Sequence, residues 1–420
     1  MKYEKIKLSD LVDTVSDTRK INKDKVVLIN TSDIFDGDVL NHSYVDNSNL
    51  RGQFKKRFEK NDILYSEIRP ANKRFAYVDF DSEDYIASTK LMVLRRKSNK
   101  ITNRYLYYCL TNDLFVDRMQ HLAEARSGTF PQITFDVLKG ETIYLPSIAN
   151  QNKITSILDN INNKIRLNNE INNNLYELSQ KIYNRWFVDF EYPISSNQTY
   201  KSNGGSFKEV DGLVVPDNFI VNKLDEICDC QNGHAFYKEG YDDSGLMVID
   251  LGNVSLQGNF IYTNADKYID RNRIPNEKFI VKKNDLVMIM TDRKATMDLL
   301  GKTAKIYEDK EYALNQRIYR IRPTINVNYV YSFLNSSSTL EKLKGLALGS
   351  VQKYVNTNHI NDLKIVVPSA EIMNEYSKVV DPVFKRMEEN ILENRNLEIM
   401  RDSLLPKLMN GEIDLDNIKI

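Results

Sequence analysis

Gly128-Thr129-Phe130, Asp136-Val137-Leu138-Lys139 and Ile143-Tyr144-Leu145-Pro146-Ser147 stand in one order. Gly349-Ser350-Val351, Asn358-His359-Ile360-Asn361 and Ile365-Val366-Val367-Pro368-Ser369 restate that order about 222 residues later. Each copy ends in a short apolar run stopped by Pro-Ser. Upstream, Lys60-Asn61-Asp62-Ile63-Leu64 matches Lys283-Asn284-Asp285-Leu286-Val287. Arg104-Tyr105-Leu106-Tyr107-Tyr108-Cys109-Leu110 likewise matches Asn328-Tyr329-Val330-Tyr331-Ser332-Phe333-Leu334. Several matches in one order at a nearly constant offset mark a duplication. The period is far longer than that of a solenoid, so the repeated unit is a whole domain.

Within the first copy, Val26-Val27-Leu28-Ile29, Ile63-Leu64-Tyr65, Phe75-Ala76-Tyr77-Val78 and Leu91-Met92-Val93-Leu94 are β-branched or aromatic runs bounded by turn formers, and predict strands. In the second, Leu246-Met247-Val248-Ile249, Leu286-Val287-Met288-Ile289, Thr303-Ala304-Lys305-Ile306 and Arg317-Ile318-Tyr319-Arg320-Ile321 repeat the plan. Residues 103–124 predict helices that close the first unit. After each Pro-Ser the apolar period changes from two to about 3.5. Ile157, Ile161, Ile165, Leu175, Leu178, Ile182 and Trp186 form one helical stripe, and Val383, Met387, Ile391, Leu397, Leu404 and Leu408 form the other. Asn162, Asn163, Asn168, Asn169 and Asn172 to Asn174 are expected on the polar faces of the first helix, and Pro382 in the first turn or at a kink of the second.

Helices of 30 to 35 residues would run roughly 45 to 50 Å, and a narrow apolar stripe needs a partner. The reading preferred here pairs them with each other, rather than leaving each to cap its own domain. Residues 192–213, rich in Ser, Asn, Gly and Thr, read as a linker that could return up to roughly 65 Å, enough for an antiparallel pair. The expected architecture is α/β (α+β): two similar strand-rich domains at 1–148 and 214–370, helical regions at 149–191 and 371–420, and a long antiparallel two-helix coiled coil between the domains.

Two similar domains on a rod suit a ligand with two separated sites, and the rod length compares with about one turn of B-DNA. The domains differ where a ligand could be touched. After the Lys-Asn-Asp strand the first offers Ser66, Glu67, Arg69, Lys73 and Arg74, and the second Thr291, Arg293 and Lys294; at the next turn come Lys90 in one and Asn315, Gln316 and Arg317 in the other. Arg and Lys pair with guanine edges, Asn and Gln with adenine, so unlike loops on matching scaffolds predict unlike half-sites. The 58 basic and 58 acidic residues balance, which disfavours a general polyanion binder but leaves room for local basic faces, as at residues 51–60 and 90–100. Cysteine occurs only at Cys109, Cys228 and Cys230, the last two too close together and too unaccompanied for a zinc site, which predicts a reducing compartment, and no run approaches the ~20 apolar residues of a membrane span. There is no phosphate loop, dinucleotide fingerprint, amino-methylation tetrad or nuclease motif, and Asp81 and Asp84 read as turn residues rather than a Mg²⁺ site. Recognition and scaffolding are predicted, with catalysis supplied elsewhere.

Arg185-Trp186-Phe187-Val188-Asp189-Phe190-Glu191, and Arg401-Asp402-Ser403-Leu404-Leu405-Pro406-Lys407-Leu408-Met409-Asn410-Gly411-Glu412-Ile413, close the two helical tracts. Both segments resemble those of the specificity subunit of type I restriction-modification enzymes, as do Gly128 with Gln132 and Gly349 with Gln352. The likeness extends over nearly the whole chain. One departure is that Asn150-Gln151 follows the first Pro-Ser, as in the family, whereas Glu371-Ile372-Met373 follows the second. The resemblance implies a non-catalytic, cytoplasmic subunit without cofactors, whose two target-recognition domains read a bipartite sequence in double-stranded DNA. It implies two methyltransferase partners on the helical regions and two restriction-translocation subunits. S-adenosylmethionine, ATP and Mg²⁺ would belong to those partners, and the helix pair would act as the ruler between half-sites. The alternative left open by the residues alone is a protein-only adaptor, a rod with two interaction domains.

Overall fold

The computed structural model describes residues 3–48, 50, 52–126, 128–236, 240–263, 266–413 and 415; Arg51, which opens one basic cluster, lies outside them. The chain forms two compact units, residues 1–165 with 396–420, and residues 166–395.

In the first unit, an antiparallel sheet has the strand order Val12–Thr14, Leu91–Arg96, Ile63–Ser66, Phe75–Tyr77. A mixed sheet has the order Tyr44–Asp46, Lys25–Ile29, Tyr85–Ser88, Phe54–Lys56, with Tyr85–Ser88 parallel to Lys25–Ile29. Val27, Leu64, Ala76 and Val93 meet in one core and are fully buried. Each buried Val or Leu contributes about 1.5–3 kcal/mol. The second unit repeats both orders: Cys228–Asn232, Ile318–Pro323, Leu286–Ile289, Thr303–Lys305 in one sheet, and Lys267–Ile269, Leu246–Ile249, Tyr312–Leu314, Ile280–Val281 in the other. The Pro-Ser strands also correspond. Thr142–Leu145 pairs antiparallel with Glu4–Lys7, and Lys364–Val367 pairs antiparallel with Ile220–Lys223.

The recurring Lys-Asn-Asp now has a physical cause. Asn61 and Asn284 take the left-handed conformation, with φ of 74° and 69°, which asparagine tolerates better than most side chains. The following acids, Asp62 and Asp285, are each 1% exposed. Asp62 accepts from Arg95 Nε and Nη2, both at 2.7 Å, and Asp285 accepts from Arg322 Nε at 2.6 Å and Nη2 at 2.8 Å. A buried carboxylate is tolerable only when paired in this way.

The long helices span Ile148–Tyr183, 36 residues, and Ala370–Met409, 40 residues. At ~1.5 Å per residue they are about 54 and 60 Å long, more than the sequence estimate. Pro382 lies within the second helix rather than in its first turn. A π-helical turn, Asn184–Val188, ends the first and turns both Trp186 and Phe187 inward, against Tyr376 at 5.7 and 4.9 Å. Gln151, fully buried, ties the first helix start to Lys100 O and Thr102 N, at 2.8 Å each.

Of the predicted stripe, Ile161, Trp186, Met387 and Leu408 are buried, while Ile157, Ile165, Leu175, Ile182, Val383, Ile391, Leu397 and Leu404 are half-buried. Leu178 departs from it. This residue is 45% exposed, and the fully buried neighbour is Ser179. The asparagines also depart from expectation, because Asn168 and Asn172 lie in the seam rather than on a polar face. They face Asn394 and Asn390 of the second helix, and this pairing runs antiparallel.

Residues 192–213, read from composition as a linker, hold the hairpin Pro193–Ser195 with Gln198–Thr199 and the strand Phe207–Val210, which pairs with Leu213–Pro216. Tyr192 stacks on Tyr200 at 4.8 Å and on Phe219 at 5.3 Å, which orders the segment against the second unit's core.

Each domain is also fastened to its own long helix. Arg104 Nε donates to Asp159 Oδ1 at 2.7 Å and the guanidinium lies over Tyr77, 4.6 Å from the ring centroid. In the second unit the cation comes from the strand instead. Lys305 Nζ donates to Asn328 Oδ1 at 2.9 Å, and Asn328 Nδ2 donates to Asp381 Oδ1 at 2.8 Å.

Candidate nucleic-acid interface

Three chain segments meet at one end of the antiparallel sheet in each unit, through equivalent backbone hydrogen bonds. In the first, Glu67 N donates to Lys90 O at 3.1 Å and Ile133 N to Glu67 O at 2.9 Å. In the second, Met290 N donates to Arg317 O at 3.2 Å and Val355 N to Met290 O at 3.0 Å. The exit of one strand, the turn before its neighbour and the segment after the repeated glycine thus form one junction. The side chains projecting from it differ between the copies: Glu67, Lys90 and Gln132 correspond to Met290, Arg317 and Tyr354.

Sequence reading named six residues at the first junction, and the structure separates them. Glu67, Arg69 and Lys90 stay there, with Arg69 and Lys90 exposed. Glu67 accepts from Gln132 Nε2 at 2.8 Å, so Gln132 joins the set. Ser66 is 1% exposed, and its Oγ accepts from Ile68 N at 3.1 Å. Lys73 pairs with Asp113 at 2.7 Å. Arg74 donates to the carbonyls of Ser32 and Ile34 at 3.2 and 3.0 Å and covers Phe35. Beneath the turn, Lys56 Nζ donates to Thr89 O and Leu91 O at 3.1 and 2.8 Å. Burial pulls this ammonium below the ordinary lysine value, the nearby Glu67 carboxylate opposes that, and Lys90 adds to it.

At the second junction a cleft of about 280 Å³ opens between Asn232, Met290, Thr291, Gln316, Arg317, Tyr354, Val355, Asn356 and Thr357. Thr291 is 3% exposed and its Oγ1 has no hydrogen-bond partner in the protein. A buried hydroxyl of that kind carries an uncompensated desolvation cost. Gln316 and Arg317 are exposed beside it. Asn315 is half-buried, and its Oδ1 accepts from Gln316 N at 2.8 Å, a bond that shapes the turn. Arg293 and Lys294 are exposed on the following loop, Lys294 at 3.8 Å from Asp298.

Asn232, Tyr354, Asn356, Thr357 and Gln132 are not among the DNA-contacting candidates read from sequence, although Gln132 carries part of the family resemblance. The signal that could have found them is the repeated glycine segment itself. Gly349 has φ of 90°, and a Cβ there would lie 2.2 Å from Gln352 O, so only glycine makes this turn. The turn presents Val351, 90% exposed, and the matching Phe130 is 50% exposed. Amides, a guanidinium, a phenol and an apolar tip around an open cleft are groups that read base edges and the thymine methyl. Among the described residues no cluster of three or more His, Cys, Asp or Glu could hold a metal ion, and no helix is long and apolar enough to cross a membrane.

Comparison with known proteins accounts for both copies together. The family model for the type I restriction modification DNA specificity domain matches residues 1–177 and again 216–398. The chain is 30% identical to the type I restriction enzyme HindI specificity subunit of Haemophilus influenzae, over 92% of this chain and 94% of that protein. It is 21% identical to the MjaIX specificity subunit of Methanocaldococcus jannaschii, over 76% and 71% of the two chains. The crystal structure of a type I restriction-modification S subunit from M. genitalium has the same fold, with a TM-score of 0.51 at 15% identity over 97% of this chain and 96% of that one. With two copies of the family model on two equivalent junctions, the chain belongs to the type I restriction-modification DNA specificity family, as a recognition subunit and not a catalytic one.

Proposed function

We propose that the chain reads an asymmetric bipartite DNA target, one half-site per strand-rich domain, using the junction at Glu67, Arg69, Lys90 and Gln132 for one half and the cleft at Thr291, Gln316, Arg317 and Tyr354 for the other. The observation that carries this is the conjunction of matched backbone junctions with unmatched side chains. A shared scaffold supports two sites of one kind, and unlike groups on it support two unlike sequences. Arg293 and Lys294, exposed beside the cleft, suit phosphate contacts that set orientation without reading sequence.

The long helices serve in this reading as the scaffold for two methyltransferase and two restriction-translocation subunits, and as the element that sets the spacing between half-sites. S-adenosylmethionine, ATP and Mg²⁺ act in those partners, where the target adenine is flipped out of the duplex for methylation. A balanced net charge is compatible with this division, since the partners can neutralise phosphates while this chain discriminates bases. The test is to reconstitute the chain with its methyltransferase partners and map methylated adenines across a genome or a random duplex library. Two different short motifs separated by a fixed spacer are expected. Methylation without sequence preference would overturn the proposal.

A further inference from the structure

The seam between the long helices in the second unit is held by asparagine where leucine or isoleucine would be ordinary. Asn168, Asn172, Asn390 and Asn394 are 0, 3, 0 and 7% exposed. Asn168 Nδ2 donates to Asn394 Oδ1 and Asn390 Nδ2 donates to Asn172 Oδ1, both at 2.8 Å. Asn394 Nδ2 reaches Asn169 Oδ1 at 2.8 Å, and Asn168 Nδ2 also reaches Glu393 Oε2 at 2.8 Å. This arrangement is poor for stability alone. The Oδ1 atoms of Asn168 and Asn390 are buried without a hydrogen-bond partner in the protein, and unmet polar groups of this kind cost more than apolar replacements of similar shape.

What the arrangement supplies is discrimination between registers. An apolar heptad seam can slip by seven residues and still bury its side chains. Here such a slip would set Asn168 opposite Met387 or Arg401, Asn172 opposite Val383 or Leu397, and Asn394 opposite Ile161 or Leu175, depending on its direction. In one direction all four amides would face apolar side chains, with Asn390 opposite Ile165; in the other Asn172 and Asn394 would, while Asn168 meets Arg401 and Asn390 meets Ser179. Neither seven-residue slip brings any of these four asparagines opposite another asparagine.

We infer that Asn168, Asn172, Asn390 and Asn394 fix the register of the two long helices and are positioning residues for the half-site spacing that the assembled complex accepts. The spacing part rests on the DNA-recognition reading above. The register part does not. A slip of one heptad is about 10 Å, close to 3 base pairs of B-DNA.

The test uses the full chain carrying Asn172→Leu with Asn390→Leu, and in parallel a variant with all four asparagines changed to leucine. Spin labels at Glu177→Cys and Lys385→Cys, both exposed in the native protein, report register by pulsed dipolar spectroscopy, with Cys230→Ser to remove the partly exposed native thiol. One interlabel distance is expected with the asparagines present, and a second population shifted along the helix axis in the leucine chains. The leucine complexes should also methylate sites whose spacers differ by about 3 base pairs, with unchanged half-sites, at on the order of a tenth of all modified positions. A single unchanged distance in the double variant overturns the inference; the double variant alone decides if the quadruple one fails to fold. A second distance with an unchanged spacer leaves the register role standing and removes its link to spacing. Loss of sequence preference already in the native complex is instead a failure of the DNA reading.

Discussion

The two junctions share their backbone and almost nothing else. Glu67 and Met290 make the same pair of main-chain hydrogen bonds, yet one carries a carboxylate held by Gln132 and the other lines an open cleft beside Tyr354. Just behind them the Asp62–Arg95 and Asp285–Arg322 pairs are nearly superimposable in chemistry and distance. The contrast separates two jobs within a few residues of chain. Main-chain bonds and buried ion pairs hold the scaffold, and side chains that point out of it are free to differ. The copies diverge at the seat on the long helix too, where half-buried Tyr77 and Arg104 in one become buried Lys305 and Asn328 in the other.

The comparison breaks most visibly at the buried acids. Asp62→Ala and Asp285→Ala each strip the buried, doubly hydrogen-bonded partner from a half-exposed arginine, leaving it only a more exposed acid at 3.4 Å (Glu59) or 3.8 Å (Asp229), and leave the amide of Glu59 or Lys282 unsatisfied. Urea unfolding is expected to register a loss of about 2–4 kcal/mol in either case. A large loss in one copy and none in the other would refute their equivalence.

Changes at the projecting groups should act on one half-site only. Arg317→Ala is expected to relax discrimination at a single base position of one half-site by ~1–3 kcal/mol, and Lys90→Ala to affect the other half-site, measured as methylation rates over a duplex library. An equal fall across all sequences would instead identify a phosphate contact.

The smallest effect concerns pH. Burial pushes the Lys305 ammonium down to about 8, against the pull of Glu388 and Asp381 and with Lys283 adding to it. A lysine with a lowered folded-state value binds fewer protons folded than unfolded between that pH and its ordinary value. Stability therefore rises with pH across this window. Between pH 7.5 and 9.5 the native chain should gain about 1–2 kcal/mol relative to Lys305→Met. Arginine stays charged throughout, so Arg104→Met should show no such slope in the first unit. Parallel pH curves for native chain and Lys305→Met would refute the assignment.

Much of this fold was legible because its signals are local. Pro146-Ser147 and Pro368-Ser369 mark the strand ends, Lys60-Asn61-Asp62 and its copy mark the duplication, and the apolar period marks both helices. The seam asparagines were not legible, because Asn168 and Asn172 read as polar until their partners 390 and 394 are known. Ser179 and Leu178 were exchanged for a related reason, since a one-residue shift in a helical stripe changes little in its period. Residues 192–213 have a loop's composition, but Tyr192, Tyr200 and Phe219 stack across it, which sequence spacing alone does not reveal. Arg74 and Lys73 looked like base readers by type; their nearest acceptors, in residues 32–34 and 113, lie on elements that only the folded chain brings close.

The seats on the helices carry one more consequence. Asp159 and Asp381 are each the twelfth residue of their helix, and each takes the charge or amide its own domain offers, whether from Arg104 or through Asn328 and Lys305. The helix contributes a constant socket and the domain contributes whichever plug it has. In an engineer's terms the two sockets are one standard fitting, met by two different plugs.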